Sequence, residues 1–102
     1  MNAVSDAGTP AVALPAVLDL AAAPELHGSL LSALHADAGP VVIIDGAATD
    51  RVATACIQVL IAADMAFSAA GCRLKIRNPS DALAASFRSL GLGAQFDKLC
   101  SD

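Results

Sequence analysis

The sequence predicts an α/β fold with a partly parallel sheet. Two observations carry this. Strand-like and helix-like hydropathy patterns alternate along the chain, an order that favours parallel pairing through crossover helices. And Val41-Val42-Ile43-Ile44 is a continuous β-branched run, as expected of a central strand buried on both faces.

Each element follows from local chemistry. Residues 1–10 are expected to form a flexible terminus, and residues 11–102 a single domain. Pro10 and Pro15 interrupt "PAVALPAVLDL", which limits it to short strands at a sheet edge, because proline lacks a ladder donor. Pro24 suits a first helical turn, and Leu26, Leu30, Leu31 and Leu34 recur at helical spacing after it. Gly28 weakens that helix and Gly39-Pro40 ends it. Asp45-Gly46 closes the Val/Ile strand, and a loop from Gly46 to Ala53 leads to a long helix from about Thr54 to Ala70. That helix has two apolar stripes: Cys56, Val59, Leu60, Ala63, Phe67 and Ala70, and separately Ile57, Ile61 and Met65. Gly71 stops it. "RLKIRN" alternates as a one-sided strand with a basic, solvated face. After Asn78-Pro79, Ser80 or Asp81 caps a helix carrying Leu83, Phe87 and Leu90. Gly91 and Gly93 break it, and Leu92, Phe96 and Leu99 form a short final helix.

Composition narrows the function. The chain has 102 residues, is 56% hydrophobic and carries a net charge of −4. Its mean hydropathy is +0.62, yet charges interrupt every apolar run before the ~18 residues a membrane span needs. No signal-peptide pattern opens the sequence, so a cytoplasmic protein is expected. Six basic residues with no Trp or Tyr make a poor nucleic-acid surface. Three widely spaced cysteines, Cys56, Cys72 and Cys100, read as reduced thiols. His27 and His35 lie about 12 Å apart along one helix, too far to share a metal, and both fit a solvated face. No nucleotide-binding glycine motif, nucleophile elbow or catalytic carboxylate pair is visible. No enzyme activity, cofactor or metal is therefore expected.

The motif order is more informative. A hydrophobic strand ends in Asp45. A variable loop follows, then Ala53-Thr54-Ala55-Cys56-Ile57 opens a helix. Arg77-Asn78-Pro79-Ser80 and Leu90-Gly91-Leu92 come later. Over residues 12–99 this order resembles the STAS family, named for sulfate transporters and anti-sigma factor antagonists. The family pattern places Asp-Ser/Thr-x-Gly-Leu at the start of that helix. Here Ala53 stands at the Asp position and Cys56 at the Gly position. The resemblance implies a STAS-like single layer of mixed, partly parallel sheet with helices packed mainly on one face. It implies a regulatory protein-binding module of the anti-sigma factor antagonist or chemotaxis-adaptor kind. Its partner would be a protein such as an anti-sigma-type serine kinase, with no nucleic acid and no membrane insertion.

On this reading the partner docks on the loop and the start of the second long helix, through Arg51, Ala53, Thr54, Ile57, Gln58, Ile61 and Met65. The stripe Ile57, Ile61, Met65 is expected to face solvent. Thr54 matches the family's phosphoacceptor. A phosphate at a helix N-terminus meets free amides and the positive dipole end, and its charge would disrupt an apolar interface. Arg51, three residues before it, could screen that charge. Thr54 also reads as an N-cap whose hydroxyl accepts from an amide two or three residues on. Two alternatives stand beside this. One is the small cytoplasmic subunit of a lipid-transport ABC complex, docking on its ATPase without phosphorylation. The other is a small α/β enzyme using Cys56 as a thiolate stabilised by the helix dipole.

Overall fold

A computed structural model describes residues 12–35 and 40–101. The expected flexible terminus, residues 1–10, and Gly39 of the expected helix stop lie outside the described residues. The element order is β1 (Val12–Ala13), β2 (Val17–Leu18), a 3₁₀ turn (Leu20–Ala22), α1 (Ala23–His35), β3 (Val41–Asp45) and β4 (Arg51–Val52). Then come α2 (Thr54–Ala69), β5 (Arg73–Arg77), α3 (Asp81–Ser89) and α4 (Gly93–Cys100).

The sheet has the order β1-β3-β5, with β3 in the middle as the Val/Ile run requires. A second, two-stranded ladder joins β2 to β4. All described pairings are parallel. The register sets Val12, Ile44 and Ile76 in one row and Val42 beside Leu74. Val42, Ile44, Leu74 and Ile76 are buried and join Cys56, Leu60 and Phe67 of α2 in one core. The reverse face is half-exposed. Val41 is 44% exposed and Ile43 intermediate, so β3 is central but is not buried on both faces as expected. A continuous apolar run is the usual mark of a parallel strand covered on both faces, but here Val41 and Ile43 lie on a face that is only partly covered.

Arg51–Val52 falls in a stretch whose sequence suggests only loop. It becomes β4 because the chain from Pro15 to Asp19 lies alongside. Asp50 and Arg51 amides donate to the Ala16 carbonyl at 2.8 and 3.1 Å, and the Ala53 amide donates to the Leu18 carbonyl at 2.7 Å. Buried Thr49, 2% exposed, donates its hydroxyl to the Pro15 carbonyl at 3.2 Å. Two neighbouring segments, and not local propensity, fix the path into α2.

The helix ends follow the expected chemistry. Gly71 adopts φ +78° after α2, and Asn78 adopts φ 54° in the turn before Pro79. These left-handed conformations suit Gly and, among other residues, Asn. Ser80 caps α3, its hydroxyl accepting from the Leu83 amide at 3.1 Å. Phe87 and Phe96 then pack with ring centroids 5.0 Å apart, joining α3 to α4. Replacing Ser80 by Ala should cost about 1 kcal/mol and by Asp far less, measured by urea denaturation. Equal losses for both would show that the cap bond does not hold α3.

Candidate functional site

Helix α2 begins where β4 ends. Its N-cap is Ala53, in an extended conformation of φ −79° and ψ 148°, with no side chain able to cap. The first turn of α2 carries no acidic residue. Thr54 is thus the first helical residue and not the cap. From that position its hydroxyl does not meet the amides ahead, and it has no hydrogen-bond partner among the described residues. The expectation that Thr54 is an N-cap is corrected: the cap position falls one residue earlier, where the sequence has Ala. What remains is an exposed hydroxyl at the positive end of a 16-residue helix.

The expected solvent stripe also needs correction. Ile57 is fully buried, Ile61 is half-buried against the core, and Met65 is 68% exposed. At 3.6 residues per turn, each step of four advances about 40° around the axis. The row Ile57, Ile61, Met65 therefore spirals from the core out to water. The truly exposed face is Thr54, Gln58, Ala62, Met65 and Ala69. It carries no charged side chain. The only charged residue in α2 is Asp64, on the flank, paired with Lys98 of α4 at 3.3 Å.

Other predicted residues fall around this face. Arg51 is exposed on β4, and Ala53 is half-buried at the cap. Ile57 turns away from the face into a small polar cleft and the core. That cleft, between the start of α2 and α3, is lined by Val52, Thr54, Ile57, Ser86, Ser89 and Leu90. The Ser86 hydroxyl donates to the Ala82 carbonyl at 2.8 Å and Ser89 to the Ser86 carbonyl at 3.1 Å, so each keeps lone pairs free. Sequence reasoning missed Ser86, Ser89 and Leu90 as neighbours of Thr54. No periodicity could place them there, because the α2–α3 packing that does so is long-range.

Cys56 is 0% exposed, and its thiol donates to the Asp19 carbonyl at 3.4 Å. Burial, and then the nearby Asp19 charge, push its pKa above the usual thiol value. A buried thiol with a raised pKa, bonded to a backbone carbonyl, does not match the accessible thiolate expected at this position.

With this geometry in place, the fold and site define a small α/β module whose second helix presents Thr54, Gln58 and Met65 to solvent. The chain matches the family model described as "Mlab, STAS domain" over residues 1–99, and it belongs to the STAS family. STAS domains mediate protein–protein interactions. No curated protein and no solved structure matches the chain. No helix among the described residues is long and apolar enough to cross a membrane.

Two predictions follow from the cap and from the rotation of the row. Ala53→Ser should stabilise the protein by about 0.5–1 kcal/mol, because the extended cap geometry already suits a side-chain acceptor. A urea midpoint that does not rise would mean the α2 amides are satisfied some other way. Ile57→Ala should cost about 2–5 kcal/mol, whereas Met65→Asp should leave the melting temperature within a few degrees. The reverse ranking would put the core face of α2 on the wrong side.

Proposed function

We propose that this chain is a regulatory protein-docking module, acting as an anti-sigma factor antagonist or signalling adaptor in a bacterial cytoplasm. Its partner, a serine kinase or other signalling protein, seats on the exposed face of α2. The observation that carries this reading is the charge-free character of that face. Across Thr54, Gln58, Ala62, Met65 and Ala69 there is no Asp, Glu, Lys or Arg. A helix face meant only for water ordinarily carries charges, while the core of a protein interface is depleted of them. Gln58 supplies a polar contact and Arg51 a charge at the rim.

Thr54 is the regulatory position in this proposal. Its hydroxyl is exposed and not used in capping, so a kinase can reach it without unfolding the helix. A phosphate there adds about −1.5 to −2 charges to a face that otherwise has none. The helix itself tolerates that charge at its N-terminus. The partner, which must desolvate it, does not.

A second reading keeps the same surface and drops the modification. The chain would then be the cytoplasmic subunit of a lipid-transport ABC complex, docking on its ATPase. Ala53 favours it, standing where antagonists carry an acidic residue before the phosphoacceptor.

One pair of measurements tests the proposal. Thr54→Ala should leave partner affinity and stability nearly unchanged, because the hydroxyl caps nothing. Thr54→Glu should weaken partner binding at least tenfold while leaving the melting temperature intact. Mass spectrometry after incubation with a cognate serine kinase should place a phosphate on Thr54. No phosphate there, with Thr54→Glu still disruptive, would select the ABC reading. Full binding by Thr54→Glu would remove α2 as the docking surface.

A further inference from the structure

The docking face does not end at α2. The Ala53 amide donates to the Leu18 carbonyl and the Cys56 thiol to the Asp19 carbonyl, which sets the turn carrying Leu20 against the first turn of α2. Leu20 is 72% exposed, more than any other large hydrophobic residue described, and Val17 of the same segment is 47% exposed. Burying a leucine side chain stabilises a fold, and one standing this far in water forgoes most of that gain. Nor is it on a loose loop. The Asp19 carboxylate accepts from the Ala22 amide at 3.0 Å. The Asp19 carbonyl accepts from the Cys56 thiol at 3.4 Å and from the Ala22 amide at 3.0 Å. Just before it, the Leu18 carbonyl accepts from Ala53 at 2.7 Å. Leu20 is therefore an apolar side chain held out on a pinned turn. A preorganised side chain of this kind gives up little entropy on binding.

The surroundings of this segment say what covers it. Among the described residues, Asp19, Glu25 and Asp50 are exposed on or next to this segment, and Arg51, paired with Val17, is the one exposed Lys or Arg there. Carboxylates outnumber the guanidinium three to one. A second copy of this chain, itself at net charge −4, would bring like charges together around the leucine. We propose that Leu20 is a second anchor of the docking surface, inserted into an apolar socket on the partner that is rimmed by Lys or Arg. This rests on the α2 face being the docking surface, and it adds the partner's chemistry: a protein, apolar at the contact and basic around it.

The test uses the full chain, immobilised, with lysate of its source cells as probe. Captured proteins are quantified for the wild type and for Leu20→Asn, Met65→Asn, Asp50→Lys and, on the far helix α4, Ala94→Asn. The expected result is a protein held by the wild type and by Ala94→Asn. Its capture falls about tenfold or more with Leu20→Asn, as for an interface hot spot, and falls clearly with Asp50→Lys. Raising salt from about 0.05 to about 0.5 M should weaken capture, because the rim charges are then screened. Thermal melts should show every variant folded, as all these positions are exposed. Loss with Met65→Asn but not with Leu20→Asn overturns the second anchor and leaves the α2 face standing. Loss with Leu20→Asn but a gain with Asp50→Lys overturns the basic rim. A captured protein that is this chain itself overturns the assignment to a different partner. No capture, or capture indifferent to both Leu20 and Met65, sinks the docking surface as a whole.

Discussion

Gly46 is the joint on which this structure depends. Its amide donates to the Arg77 carbonyl at 3.0 Å, tying the end of β3 to the end of β5. Its carbonyl accepts from Ser80 at 3.1 Å and from Thr49 at 3.4 Å, so the same peptide holds the start of α3 and the loop into α2. A Cβ built at this position would stand 2.8 Å from Leu83 Cδ2 and 3.5 Å from the Pro79 backbone. Leu83 is fully buried and has little room to retreat. A side chain at Gly46 would have to push the tip of buried Leu83 aside, so glycine suits the close convergence of β3, β5 and α3.

From this joint the loop 46–53 leaves the sheet and is caught by the chain 15–19. Thr49, Asp50, Arg51 and Ala53 all bond to carbonyls of that segment. The consequence is a helix start with a fixed approach but an empty cap. Ala53 offers no acceptor, so α2 gains its stability from packing Cys56, Ile57, Leu60 and Phe67 against the sheet. A helix held by its inner face leaves its outer face free in sequence. Here that outer face, Thr54, Gln58, Ala62, Met65 and Ala69, carries no charge.

The remaining helices close the core without crowding that face. Asp64, the one charge on α2, is turned to its flank and paired with Lys98, where it ties α4 to α2. Arg88 lies over the Phe96 ring, 5.5 Å from its centroid, and contacts Asp97 at 3.6 Å. Arg88 and Asp97 are both exposed and their pair contributes little, whereas the Asp64 carboxylate in the second pair is largely covered.

The sequence by itself determined the alternation of elements, the central place of Val41–Ile44, the caps and stops at Ser80, Gly71 and Gly91, and the helix carrying Thr54. These are local matters of β-branching, side-chain acceptors and the conformations open to glycine, and they are legible one window at a time. It also placed the family, through the order of four short motifs. The tertiary structure decided the rest. It turned Arg51–Val52 into a strand, because the partner strand lies more than thirty residues away in sequence. It set the cap at Ala53 and left Thr54 uncapped, a shift of one residue that depends on where β4 releases the chain. It sent Ile57 inward and Met65 outward, because a row spaced by four spirals around the helix and packing against α1, β5 and α3 fixes which turn faces water. And it set the turn carrying Leu20 against the first turn of α2, through bonds from Ala53 and Cys56 to Leu18 and Asp19 that no pattern along the chain reveals.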